Sequence, residues 1–244
     1  MIKRLLAATT AIAIILSFTT IAQADNSDDV ESKPFVAAGV RFLTDEEEEE
    51  YLQSLSEEDL QKIYEKEQEA EELADQPMTR SVSKISIPGS FTMFQQENYY
   101  YCVPACVKSV LYYNNIIVTQ TSVAKSLGTE PGIGTRVEAI VPYLNQKQSF
   151  YYARAGTPTQ TTMCDRLYAT IANNKKPCMM GIINLSGNGW HYATSGHFLV
   201  VNAIYSDKSR IQLADPLGGT QVGYTYYYEK SAYIAGQVCK DLIW

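Results

Sequence analysis

The negative charge of this chain is gathered into one stretch. Residues 25–77 hold 19 Asp and Glu against 4 Lys and Arg, a net charge of −15, whereas residues 78–244 hold 8 against 14, a net charge of +6. A segment so acidic and so poor in large apolar side chains encloses no core of its own. The hydrophobic domain must therefore be built from the basic residues 84–244, and the acidic segment is either solvated or leans on that domain. The overall charge of −7 argues against nucleic acid as a partner.

The only apolar run near membrane length starts at Leu5, behind Lys3 and Arg4, and ends at Phe18; Ala22-Gln23-Ala24 follows. A basic start, a short apolar run and small residues at the peptidase positions describe a secretory signal peptide over residues 1–24. A polytopic membrane protein is excluded, no stable membrane insertion is expected after signal removal, and the mature chain is expected to be secreted. All five cysteines, Cys102, Cys106, Cys164, Cys178 and Cys239, lie in the basic part. An odd count leaves at least one thiol unpaired, and spacing does not say which of the others would pair. With two histidines and no pair of Cys-x-x-Cys motifs, no metal site is expected.

Within residues 25–83, Thr44 with Glu47 and Ser56 with Asp59 each place a capping hydroxyl three residues before an acid. They predict helices over about 45–55 and 57–74, which are marginal in isolation. Pro77 and the residues around it predict a linker. Two readings of this acidic forepiece stay open: a solvated spacer, or a prosegment that docks on the basic body and acts as an intramolecular inhibitor.

In residues 84–244 the first half reads as helical and the second as strands. A short strand at Ile85–Ile87 precedes a helix from about Val103 to Tyr113, on which Val103, Cys106, Val107, Val110 and Leu111 share one face. Helices over about 121–127, 136–145 and 163–173 follow, the last two opened by Thr135 with Glu138 and Thr162 with Asp165. Residues 178–184, 196–205, 210–214 and 221–228 are rich in β-branched and aromatic residues and predict strands. The fold class is α+β, an N-terminal helical lobe packed on a C-terminal antiparallel sheet, with the crevice between them as the natural site.

Cys102 opens the first body helix, where the positive end of the macrodipole stabilises a thiolate. Pro104 in the first turn removes an N–H that has no helical partner. His191 and His197 are the two candidate bases. His197 begins a buried-looking strand and Asp215 ends the next one, so a hairpin turning at residues 206–209 brings imidazole and carboxylate side by side. Gln96, six residues before the thiol, supplies an amide donor for an oxyanion, with the Cys102 backbone N–H as the second.

The ordered set Gln96, Cys102-Val103-Pro104-Ala105, Gly196-His197-Phe198 and Asp215-Pro216 resembles the papain-like cysteine peptidases of the bacteriocin-processing, double-glycine-leader type and their free-standing secreted relatives. The resemblance covers about residues 84–244. It implies a papain-like fold, a peptide or protein substrate, no cofactor, Cys102 as nucleophile, His197 as general base and acid, Asp215 as the carboxylate orienting it, and Gln96 as oxyanion donor.

Cys106, one turn further along the apolar face, is the rival thiol and is expected in the core. Trp190 and His191, in Asn188-Gly189-Trp190-His191-Tyr192, are candidate substrate contacts. The glycines of Leu217-Gly218-Gly219 read as turn residues, and the tyrosines clustered within 99–101 and 225–228 (Tyr226, Tyr227 and Tyr228 in the second) as sheet packing. Two rival functions remain: a cell-wall amidase of the cysteine–histidine type, and a non-enzymatic adhesion or immunity module on the same fold.

Overall fold

The computed structural model describes residues 35–36, 39–74, 81–218 and 226–244. The signal peptide expected over residues 1–24, residues 75–80 of the expected linker and the first part of the strand expected at 221–228 lie outside the described residues. Residues 33–244 form one compact unit, so the acidic helices and the basic body belong to the same body. No helix of the described residues is long and apolar enough to cross a membrane.

Two short strands, β1 (Phe35–Val36) and β2 (Val40–Arg41), precede helices α1 (Asp45–Ser54) and α2 (Glu57–Ala74). Thr44 closes a complete capping box with Glu47, and the backbone N–H of Asp59 donates to Ser56 Oγ at 3.1 Å. Both helix starts fall where the hydroxyl–acid spacing puts them. Strand β3 (Lys84–Ser86) leads to α3 (Cys102–Tyr113), α4 (Gln120–Ser126), β4 (Thr135–Arg136), α5 (Ile140–Lys147), β5 (Arg154–Gly156) and α6 (Gln160–Tyr168). The second half is β6 (Cys178–Asn184), β7 (Ala193–Tyr205), β8 (Arg210–Ala214), β9 (Tyr227–Ser231), α7 (Ala232–Val238) and β10 (Cys239–Ile243).

The main sheet runs β5-β10-β6-β7-β8-β9, antiparallel throughout, with β3 added antiparallel and β1 added parallel to the long strand β7. Side chains alternate along β7, as a strand buried on both faces requires. Phe198 and Val200 join the cluster with Val103, Cys106, Val107, Val110 and Leu111 of α3. Leu199 and Val201 join the opposite cluster with Met163 and Leu167 of α6 and Ala232 and Ala235 of α7. The chain is α+β as its pattern predicts, with helices on both faces of the sheet. At about 1.5–3 kcal/mol for each fully buried large apolar side chain, α3 alone, with nine buried residues, is fixed firmly on the sheet.

Two helix starts differ from the spacing. The helix expected from Thr162 begins at Gln160, because Thr159 is the cap and accepts from the Thr162 N–H at 3.2 Å. Thr135 caps nothing: its hydroxyl shares a hydrogen bond with that of Thr129, at 2.7 Å, while its backbone is in β4. Strand β10 and helix α7 at the C-terminus, strand β5, and the two-residue strands β1, β2 and β4 were not foreseen; in the short strands there is too little sequence for a period to show.

Candidate active site

Cys102 is the first residue of α3, with no exposed surface, and Cys106 sits one turn behind it. The Cys106 thiol points at the Phe198 carbonyl, 3.3 Å away, and burial drives its pKa well up, so it is a protonated core residue. The loop before α3 is held by Gln120, whose Oε1 accepts from the Glu97 N–H at 3.0 Å and whose amide donates to the Gln95 carbonyl at 2.6 Å. Between these two anchors stands Gln96. Its backbone N–H donates to the Pro216 carbonyl at 3.0 Å, which ties the loop of the nucleophile to the end of β8. Its side-chain amide donates to the carbonyls of Asn98 and Tyr99, each at 3.0 Å, while its Oε1 is buried with no hydrogen-bond partner.

His197 comes from β7 and Asp215 follows β8, and pairing of the two strands sets Val200 opposite Ala214. That register brings His197 Nε2 to 2.9 Å from Asp215 Oδ1, with both side chains closed to solvent. The other face of the imidazole is toward Cys102, and a hydrogen bond with that thiol contributes to the ring's basicity. Burial lowers the His197 pKa, but the Asp215 carboxylate outweighs it, with Cys102 adding in the same direction, and the net result is a rise to about 10. Asp215 is held below the ordinary carboxylate value: burial opposes ionisation, and the imidazolium and the donors around the carboxylate overcome it.

Those donors include two tyrosines that the sequence did not single out. Tyr192 and Tyr228 both donate to Asp215 Oδ2, at 2.7 and 2.9 Å, and the Leu217 N–H donates to Oδ1 at 2.9 Å. The Tyr192 ring also meets the His197 ring edge-on, with centroids 5.4 Å apart. Tyr228 reads from sequence as sheet packing and Tyr192 carries no signal of its own; only the fold shows that both hydroxyls converge on one carboxylate.

Cys102, His197 and Asp215 are thus brought together, and Gln96 lies in the loop before α3 with its amide turned to the Asn98 and Tyr99 carbonyls. Trp190 is 1% exposed and lies in the core under α7, so it offers no surface to a peptide; His191 is exposed and stands edge-on against Tyr228 at 4.7 Å. All five cysteines are buried free thiols, and none is joined to another.

The crevice above Cys102 holds the chain's own forepiece. The Gly39 N–H donates to the carbonyl of Gly196, the residue before His197, at 2.9 Å, and the Gly39 carbonyl accepts from the Thr135 N–H at 3.1 Å. A methyl group on Gly39 would stand 2.5 Å from Cys102 Sγ, so the sulfur lies directly against the Gly39 main chain.

None of the curated proteins matches this chain. Among solved structures it is similar to the peptidase domain of Streptococcus ComA, a bi-functional ABC transporter involved in quorum sensing, at 17% identity over 64% of this chain and 97% of that one, with a TM-score of 0.45. It is similar also to Xylellain, a cysteine protease from Xylella fastidiosa, at 10% identity over 69% and 89%, with a TM-score of 0.46. The third is a C39-like peptidase from Bacillus anthracis, at 12% identity over 66% and 96%, with a TM-score of 0.46. The family model described as "Peptidase_C39 like family" matches residues 89–237, which spans the nucleophile helix, the histidine strand and the aspartate turn. The chain belongs to the Peptidase_C39 like family and is a papain-like cysteine peptidase.

Proposed function

We propose that the protein is a secreted cysteine peptidase, made as a zymogen, that hydrolyses peptide bonds with Cys102 as nucleophile, His197 as base and acid, and Asp215 as the carboxylate that holds the imidazole. The observation that carries this reading is the buried line of groups from the first residue of α3 through His197 to Asp215, with Nε2 and Oδ1 2.9 Å apart. The Cys102 sulfur, facing the charged His197 imidazolium, attacks the substrate carbonyl. The oxyanion is met by the Cys102 N–H at the start of the helix, and by Gln96 once its amide exchanges one of its two loop carbonyls for the substrate oxygen. His197 then protonates the leaving amine, and water, deprotonated by the same ring, releases the acyl group. Asp215 keeps its charge throughout and holds the ring in one orientation.

Export is supported by the basic, apolar and small-residue succession of residues 3–24. The zymogen is supported by the course of residues 39–41 through the crevice and by the docking of α1 and α2 on the basic body. Glu48 meets Arg154 at 2.7 Å, Glu67 meets Arg166, and Lys66 and Ala70 are buried.

The test is casein hydrolysis by the secreted protein, wild type beside Cys102→Ala, with iodoacetamide labelling of the wild type at neutral pH. The expected result is casein cleavage that disappears in Cys102→Ala, together with alkylation at Cys102 faster than at any of the other four thiols. Equal cleavage by both proteins overturns the assignment.

A further inference from the structure

Residues 39–41 do more than cover the thiol. β1 runs parallel to the start of β7, Phe35 beside Ala193 and Val36 beside Thr194, and the chain continues toward His197. At Gly39 it bonds to both walls of the crevice, through Gly196 on one side and Thr135 on the other. At Val40 it pairs with Thr135 in a second, parallel ladder. Main-chain bonds on both sides hold Gly39 and Val40 as a bound peptide is held.

Cys102 Sγ lies against the Gly39 α-carbon, on the side where a side chain would begin. From above, Gly134 approaches so closely that a methyl group there would stand 2.2 Å from the Gly39 carbonyl carbon, 2.4 Å from its oxygen and 2.6 Å from the Val40 nitrogen. Gly134 also has a φ of +80°, a conformation that disfavours any side chain. The crevice is shaped around this one peptide bond, and a residue other than glycine at position 39 has no room beside the sulfur.

We infer that the Gly39–Val40 bond is the enzyme's own first substrate, cut in cis by Cys102, and that α1 and α2 remain on the mature enzyme. The inference rests on the peptidase reading above. The Gly39 carbonyl oxygen exchanges the Thr135 N–H for the Cys102 N–H and Gln96, Cys102 Sγ bonds to the Gly39 carbonyl carbon, the carbon–nitrogen bond to Val40 breaks, and His197 gives its proton to the Val40 nitrogen. Water then cleaves the thioester, leaving a carboxylate on Gly39 and restoring the thiol.

Among the described residues before position 40, the two-residue pairing of β1 and the main-chain bonds of Gly39 hold the cleaved strand, which then leaves the crevice. The helices do not leave with them. Val40 is 3% exposed in the core beside α3, and Ala70 lies in the core cluster under α6. Arg154, with 2% of its side chain exposed, ties Glu48 to Asp241 of β10. Tyr151 donates to Asp59 at 3.0 Å, and Asn174 to Glu69 at 2.7 Å. The acidic forepiece is thus divided, a strand to be cut away and a helical pair that completes the fold.

The test is intact mass and N-terminal sequencing of the full secreted chain over time, for wild type, Cys102→Ala and Gly39→Val, with casein hydrolysis measured on the same samples. Wild type is expected to convert to a species starting at Val40 and running unbroken to Trp244, at a rate independent of protein concentration, as casein activity rises. Cys102→Ala retains the residues before Val40, and Gly39→Val loses the cut at this bond. Casein activity in wild type without a cut at Gly39–Val40 overturns the inference and leaves the peptidase standing. Absence of both the cut and any Cys102-dependent casein activity overturns the two together. A cut at this bond in Cys102→Ala overturns its assignment to Cys102, and loss of residues 40–80 from the active species overturns the retention of the helices.

Discussion

Nε2 of His197 stands 2.9 Å from Oδ1 of Asp215, and neither side chain meets solvent. A buried ion pair of this kind is costly to break from one side, because the partner left behind keeps its desolvation without its compensation. Replacing the carboxylate by an amide, Asp215→Asn, keeps the shape and removes the charge. It is expected to lower kcat/KM on a peptide substrate by roughly 10²-fold to 10⁴-fold, since the imidazole loses both its orientation and its basicity. Steady-state kinetics of the purified variant check this.

The pH dependence follows from the same pair. His197 is raised to about 10, above its ordinary 6.5, so its charged form, and the stability that form brings, is fully present below pH 6.5 and is lost as pH rises through about 10. Asp215 is lowered from its ordinary 3.8, so its contribution is present above that value and is lost as pH falls through the depressed one. The contribution of this pair to thermal stability is expected to be complete between pH 3.8 and pH 6.5 and to fall away on either side, read as the difference in Tm between wild type and Asp215→Asn across pH. In Asp215→Asn the alkaline fall moves toward neutral pH.

Tyr192 and Tyr228 share one acceptor, Asp215 Oδ2. Removing either hydroxyl, in Tyr192→Phe or Tyr228→Phe, leaves the buried carboxylate short of a donor at a cost of about 1–3 kcal/mol. Each is expected to lower the Tm, and each raises the Asp215 pKa and so brings down that of His197. A cycle of the two single variants and the double variant is expected to be non-additive, because both act on the same oxygen. A substitution that acted only through packing would leave the histidine titration, followed by NMR, where it is in wild type.

Arg154 is the bond between the forepiece and the last strand, 2.7 Å from Glu48 and 2.6 Å from Asp241. Arg154→Met leaves Asp241, which has no exposed surface and whose pKa burial pushes up to about 8, to hold a proton in place of its counter-charge. A destabilisation of about 1–3 kcal/mol at pH 7 is expected from the hydrogen bonds lost, read from chemical denaturation and growing as pH rises past 8, with α1 loosened on the body.

Lys66 presents the opposite case. Its ammonium lies 4.5 Å from the Phe150 ring and 4.7 Å from the Trp244 ring, and burial lowers its pKa to about 8. Because the unfolded chain holds this proton more tightly, the cost of burying Lys66 is greatest below pH 8 and fades as pH rises toward the ordinary value of 10.5. Lys66→Met keeps the length and apolar stem and removes the buried charge. It is expected to raise the Tm by a few degrees at pH 7, roughly what 1 kcal/mol yields in a domain of this size, and by less at pH 9.5.

The nucleophile helix was legible because Val103, Cys106, Val107, Val110 and Leu111 repeat at the helical period, and strands β6, β7 and β8 because their apolar runs are bounded by turn residues. Thr44 and Ser56 fixed the two acidic helices to the residue, since a cap acts through bonds only three residues long. The cap read at Thr135 failed because its hydroxyl had a tertiary partner in Thr129 and its backbone a partner in Val40. The strands β5 and β10 escaped notice because they are short and draw their identity from each other across the chain.

Residue types and their order were enough to bring Cys102, His197, Asp215 and Gln96 forward as candidates, because the acyl transfer proposed here calls for groups of those kinds. Distance along the chain carries no information about what closes over them. That Tyr192 and Tyr228 meet on one carboxylate oxygen, and that Gly39 lies on the sulfur with Gly134 above it, was decided by strand register and by the docking of a segment some sixty residues away in sequence. Local bonding is written in local sequence; contacts between distant segments exist only once burial of the shared core has brought them to the same place.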